Sequence, residues 1–163
     1  MIRLALYQPD IPQNAGTLMR LGACLDVTVE IIEPAGFPVS ERAFRRAGMD
    51  YLDQVSLVRH VSFADFAREL TSEDRRMVLL TTRSTVSYAD FHFRPTDTLL
   101  VGRESSGVPD KVHEAADARI AVPMKRGLRS LNVAVAAAMV LGEALRQTGG
   151  FPAGGPATAG RAS

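Results

Sequence analysis

Short apolar runs alternate along this chain with longer stretches of helical spacing. Residues 2–7, 27–32, 55–58, 77–81, 98–102 and 118–122 are rich in aliphatic and β-branched side chains, and each is short enough for a buried strand. Between the first two, Ala15, Leu18, Met19, Gly22 and Leu25 recur at the i, i+3, i+4 spacing of one buried helix stripe. Asn14, Ser40 and Ser62 stand where helix caps are expected, with Pro109 at a first-turn position. Ser62 and Asp65 have capping-box spacing. A last helix is predicted over about 131–147, stopping at Gly149-Gly150. This alternation predicts an α/β fold, a mostly parallel sheet with helices on both faces.

No internal repeat or linker divides the chain, so residues 1–148 read as a single domain. Residues 149–163 are mainly Gly, Ala and Pro without an apolar period, and are expected to be disordered. The last helix is unusual in being small and apolar on every side over 133–142. A helix apolar all round must be covered all round, which at the end of a small domain predicts a symmetric dimer packed through Ala134, Ala136, Ala137, Ala138 and Gly142.

Charge adds little globally, because the net charge is +1. Locally, Lys125, Arg126 and Arg129 cluster, as do Arg42, Arg45 and Arg46; a solvated face explains either cluster taken alone. The start of the chain is too short and too well bounded for a signal peptide. The longest apolar run falls far below the roughly 20 residues of a membrane span. One cysteine, Cys24, excludes an intramolecular disulfide and offers no metal cluster. A soluble cytoplasmic protein is expected, without a membrane segment or bound metal. Asp90 and His92 lack a third ligand at a recognised spacing. Cys24 reads as a small packed residue, and His60 and His113 as surface residues.

Three loops hold the candidate chemistry. In Asn14-x-Gly16-x-x-x-Arg20, an Arg near a helix start opposes the helix dipole unless an external anion sits there. A local carboxylate partner or plain solvation is the alternative for Arg20. The turn over 102–107 has the glycine spacing of a P-loop, but Val108-Pro109 replaces the required Lys-Ser/Thr. Ser105 and Ser106 are not in a nucleophile elbow either. What remains is a glycine-bounded turn at a carboxyl end of the sheet, where α/β proteins bind ligands. Glu104 there either meets a ligand or caps the following helix. The third loop runs from Val122-Pro123-Met124 through the basic residues to Ser130-Leu131-Asn132, where Ser130 also suits an ordinary N-cap.

Together these loops resemble the SPOUT (trefoil-knotted) RNA methyltransferases, most closely the minimal tRNA wobble-position ribose 2′-O-methyltransferases. The resemblance covers residues 2 to about 147. Its motifs are Tyr7-Gln8-Pro9-Asp10-Ile11-Pro12-Gln13-Asn14-Ala15-Gly16 with Arg20, Ile32-Glu33-Pro34-x-Gly36-Phe37, Arg45-Arg46-Ala47-Gly48-Met49-Asp50-Tyr51 and Leu80-Thr81-Thr82. Val101-Gly102-Arg103-Glu104-Ser105-Ser106-Gly107-Val108-Pro109 and Val122-Pro123-Met124 with Arg129-Ser130-Leu131-Asn132 complete the pattern. The chain departs from it at Ala134 and Val135, where a polar pair is usual, at Gly142 in place of a common Tyr, and in the 103–106 turn.

The resemblance implies a C-terminal trefoil knot and a working homodimer. It implies S-adenosylmethionine bound mainly through backbone near Leu80, Gly102, Val122, Met124, Ser130 and Leu131. It implies a catalytic set of Arg20, Asn14, Glu104, Ser130 and Asn132, with Arg20 positioning and stabilising the forming alkoxide. Arg20, Lys125, Arg126 and Arg129 would contact tRNA. The implied substrate is the wobble ribose of a cytidine or modified uridine, in leucine tRNAs. Rival readings are ribose methylation at another RNA site, a non-catalytic knotted RNA-binding dimer, and a generic nucleotide-binding protein.

Overall fold

The computed structural model describes residues 1–40, 42 and 52–154. Six strands, β1 (Arg3–Tyr7), β2 (Thr28–Ile32), β3 (Leu57–His60), β4 (Arg76–Leu80), β5 (Asp97–Val101) and β6 (Ala118–Ile120), form one sheet. Their order is β3-β2-β1-β5-β4-β6, and every pair is parallel. The chain winds outward through β2 and β3, then returns to the other side of β1. The carboxyl ends of β1, β4, β5 and β6 therefore meet at one side of the sheet's centre, where such sheets open a crevice.

Helices cover both faces, as the alternation predicted. α1 (Pro12–Leu25) and α4 (Val133–Thr148) pack together on one face, with Leu4, Leu6, Leu99 and Val101 beneath them. α2 (Phe63–Ser72) and α3 (Asp110–Ala115) belong to the other, where Phe66, Leu70 and Val112 meet Ala5, Tyr7 and Leu100. Successive strand residues alternate between these two cores because the side-chain period of a strand is 2. α1 lies very close to β2: a Cβ on Gly22 would come within 2.8 Å of the Val27 carbonyl oxygen.

The caps differ from expectation in instructive ways. α1 begins at Pro12, whose fixed φ suits the first helical position, so Asn14 sits inside the first turn and Ile11 is the N-cap. Arg20 consequently lies in the third turn, away from the helix end. Ser62 caps α2 as predicted, accepting from the Asp65 N–H at 3.1 Å and donating to its carboxylate at 2.6 Å. Pro109 is the N-cap of α3 and not a first-turn residue. Asn132, not Ser130, caps α4, accepting from the N–H groups of Ala134 and Val135 at 2.9 and 3.2 Å. α4 stops at Gly149, whose φ of 63° is left-handed. The helix expected after Ser40 and the Arg45–Arg46 motif fall outside the described residues, as do residues 155–163 of the tail.

Three side chains depart from their expected surroundings. His60 is buried, with Nε2 at 2.7 Å from the buried Glu30 carboxylate; His113 is buried too. Glu30 also accepts from Arg3 at 3.2 Å, so hydrogen-bonded partners let Glu30 and His60 stay inside. Cys24 is exposed, because it falls on the outer face of α1. On α4, Ala134, Ala137, Val140, Leu141, Ala144 and Leu145 are buried, while Val135 and Met139 face outward. Ala138, Met139 and Gly142 line a shallow depression with Tyr88 and Phe151. Among the described residues no helix is long and apolar enough to cross a membrane, and no group of three acidic, His or Cys residues is arranged to hold a metal.

Candidate active site

The segments leaving β1, β4, β5 and β6 enclose a cleft of about 620 Å³. Asn14 enters it from α1, Leu80 from the end of β4, and Gly102 and Glu104 from the turn after β5. Val122 and Met124 follow β6, and Arg129, Ser130, Leu131 and Asn132 lead from there into α4. The walls are part apolar, through Leu80, Val101, Val122 and Leu131, and part polar, the mix expected of a small-molecule site.

The turn after β5 is tightly built. Arg103 and Gly107 exchange backbone hydrogen bonds at 3.0 and 2.9 Å, and Gly107 adopts a left-handed φ of 66°. Gly102 is pressed against this turn, since a Cβ there would lie 2.7 Å from the Gly107 carbonyl carbon. Only glycine permits that approach. Across the cleft, Asn132 donates from Nδ2 to Asn14 Oδ1 at 3.0 Å, tying α4 to α1.

Behind Glu104 lies Asp10, which is not among the catalytic residues that the resemblance implies. The Asp10 N–H donates to Glu104 Oε2 at 3.1 Å, and the Glu104 N–H donates to Asp10 Oδ1 at 3.1 Å. The Ser105 hydroxyl donates to Asp10 Oδ2. Arg103 Nε stands 3.6 Å from the same oxygen and is otherwise buried without a hydrogen-bond partner. The bond from the Glu104 carboxyl, then that from Ser105, holds the Asp10 carboxyl at about 2, below the usual 3.8. Burial first, and donation to Asp10 second, push Glu104 above its usual 4.5. Of the two, Glu104 is the carboxyl whose protonated form the fold favours, and Asp10 the one it holds charged.

Asp10, depressed on folding, contributes stability that is full above pH 3.8 and lost as pH falls toward about 2. Glu104, raised on folding, contributes stability that is full below 4.5 and lost as pH rises through its higher folded value. The difference in unfolding free energy between the protein and Asp10→Asn is thus expected to peak near pH 4 and decline on both sides. Urea denaturation from pH 2 to 8 checks this; a pH-independent difference would contradict it.

The SpoU rRNA Methylase family model matches residues 1–142. The chain belongs to that family. Within it, a "tRNA (cytidine(34)-2'-O)-methyltransferase" from Beijerinckia indica is 67% identical over 146 residues, covering 90% of this chain and 91% of the relative. A structure solved for "Structural insights into the 2-OH methylation of C/U34 on tRNA" superposes with a TM-score of 0.83 at 41% identity, covering 90% of this chain and 95% of that one. An AdoMet-bound rRNA methyltransferase from Sinorhizobium meliloti gives a TM-score of 0.79 at 25% identity, covering 89% of this chain and 56% of that one.

In this SpoU-family chain the predicted residues separate into two groups. Those around the cleft converge from loops far apart in sequence. Arg20, Lys125 and Arg126 do not line it: Arg20 is exposed on α1, and Lys125 and Arg126 are exposed on the loop before α4. Residues missed from sequence include Asp10, Arg103 and Ser105 behind Glu104, and His113 in the cleft wall. Burial lowers the His113 pKa below the usual 6.5, favouring the neutral imidazole. Asp10 stands in the first motif of the sequence, yet its partners lie 94 and 95 residues away, so no local signal marked its role.

Proposed function

We propose that this chain transfers a methyl group from S-adenosylmethionine to the ribose 2′-hydroxyl of the wobble nucleotide of tRNA, a cytidine or modified uridine in leucine isoacceptors. The observation that carries this reading is the convergence of Asn14, Glu104 and Asn132 on one cleft, in a chain so similar to a relative named for cytidine-34 methylation. The cleft suits the cofactor: its volume fits a ligand of that size, and its floor is a glycine turn where backbone is accessible. Leu80, Gly102, Val122, Met124, Ser130 and Leu131 would hold it. When bound there, S-adenosylmethionine supplies an electrophilic methyl group.

A ribose hydroxyl is a weak nucleophile, so its proton must leave as it attacks. Asn14, Glu104, Ser130 and Asn132 orient the ribose. Arg20, exposed on α1 outside the cleft lining, would act only with tRNA seated over the cleft mouth, its guanidinium then positioning the ribose and stabilising the negative charge that develops on the oxygen. Lys125, Arg126 and Arg129 hold the tRNA backbone, with affinity that falls as salt rises. The catalytic unit is the single domain of residues 1–148, carrying a trefoil knot and working as a cytoplasmic homodimer. The outward stripe of α4 at Val135, Ala138, Met139 and Gly142 supports that assembly, because it leaves apolar surface to be covered.

Labelled methyl transfer from S-adenosylmethionine to total tRNA from a strain lacking this protein tests the reading. Label is expected on a wobble ribose, and Arg20→Ala is expected to reduce it by about 100-fold or more. Label on another nucleotide would redirect the substrate assignment. Absence of cofactor binding would end the enzyme reading.

A further inference from the structure

The geometry points to Asp10 as a positioning residue of this site, holding Glu104 against Asn14 by clamping the loop after β1 to the loop after β5. That role rests on the methyl transfer proposed above.

After Tyr7 the backbone turns sharply, with Gln8 at a left-handed φ of 44° and its N–H on the Ile32 carbonyl at 2.9 Å. Asp10 follows, just ahead of α1. An acid in that place commonly serves the helix N-terminus. Here the α1 N-cap has no side-chain hydrogen bond, and the Asp10 carboxylate is spent on the β5 loop instead. Each of Asp10 and Glu104 receives the other's backbone N–H, so neither loop can shift without breaking both bonds. The loop after β2 closes over the pair: Gly36 donates to the Pro9 carbonyl at 2.8 Å, and a Cβ on Gly36 would lie 2.9 Å from Asp10 Cβ.

From this anchor a line of polar contacts crosses the cleft. Glu104 meets the Asn14 side chain, Asn14 accepts from Asn132, and Asn132 caps α4. Asn132 occupies the Asn14 oxygen, which leaves the Asn14 amide N–H₂ to donate to Glu104. Two carboxyl groups in contact repel unless they share a proton. Burial, and then the contact with Asp10, favour the protonated form of Glu104, while the Asp10 N–H on its Oε2 fixes the group's orientation. Asp10 does not line the cleft, so it acts through Glu104 and not on substrate.

Two variants of the full-length protein test this. Asp10→Asn keeps the side chain's shape and removes its charge; Gly36→Ala keeps the charge and displaces Asp10. Steady-state kinetics with tRNA are paired with S-adenosylmethionine affinity by calorimetry. A pH titration of ¹³C-carboxyl-labelled glutamate by NMR, with the Glu104 signal assigned through Glu104→Gln, gives a readout independent of turnover. Both variants are expected to lower kcat by roughly 10- to 100-fold, as small misplacements in a site do, with cofactor affinity and KM changing less than about threefold. Asp10→Asn is also expected to move the Glu104 midpoint down toward 4.5.

A kcat for Asp10→Asn within about twofold of the parent overturns the role of Asp10 alone. So does an unmoved Glu104 midpoint, or a fall in cofactor affinity equal to the fall in kcat. Parent protein that shows the raised Glu104 titration but methylates no tRNA overturns the proposed reaction, and with it any part for Asp10. If Asp10→Asn does not fold, Gly36→Ala decides by the same kinetic criteria.

Discussion

Gly102→Ala is expected to weaken S-adenosylmethionine binding by about 100-fold and to abolish methyl transfer at ordinary cofactor concentrations, because site geometry tolerates shifts of only about 1 Å. The added Cβ would stand 2.7 Å from the Gly107 carbonyl carbon and 2.8 Å from its Cα. Both are backbone atoms, so no side-chain rotation relieves the clash. The turn must open, breaking the paired hydrogen bonds between Arg103 and Gly107 and carrying Glu104 with it. Overpacking of this kind also costs about 1–3 kcal/mol of stability. Calorimetry of cofactor binding, with circular dichroism to confirm the fold, measures the effect. Unchanged affinity would mean that the donor is not held by this turn.

The largest expected loss of stability belongs to Asp97→Ala, at the opposite end of the same strand. Asp97 is fully buried and grips the Arg76 guanidinium through two bonds of 2.8 Å, while its second oxygen accepts the Arg94 N–H at 2.9 Å. Arg76 also stacks over the Phe91 ring at 4.9 Å. Removing the carboxylate leaves a largely buried guanidinium without its counter-ion, at a cost of about 3–5 kcal/mol. For a chain of this length that corresponds to a fall in Tm on the order of 10 °C. Asp97→Asn, which keeps acceptor capacity, is expected to lose less. Cofactor affinity of the folded fraction should be unchanged, since the cleft lies at the carboxyl end of the strand. A thermal melt within a degree or so of the parent would show that Arg76 finds other partners.

The two variants contrast how the sequence encodes structure. Gly102 and Gly107 stand close in the chain, and their turn was expected from spacing alone. The pairing of Arg76 with Asp97 required β4 to lie beside β5 in a particular register. The same distinction separates Ser62, a cap recognised from its neighbour Asp65, from Asn132, which displaced the expected Ser130. The loop over 122–132 can start the helix at either residue, and the contact with Asn14 on α1 favours the later start.

The chain's own order of residues determined the alternation of strands and helices, the buried stripe of α1, the loops that line the cleft and the family. These are near-neighbour properties: apolar period, cap chemistry and glycine spacing act over a few residues, and burial rewards them wherever the element docks. Tertiary structure alone decided that Asp10 faces Glu104 across 94 residues, that Asn14 meets Asn132 across 118, and that His60 is buried on Glu30. It also turned Cys24 outward and left Arg20 outside the cleft lining. Such contacts follow from strand order and register, which bring distant segments together and carry no local period. A lone carboxylate in a loop looks the same in sequence whether it meets water or another carboxyl, and only the packed fold sets its protonation.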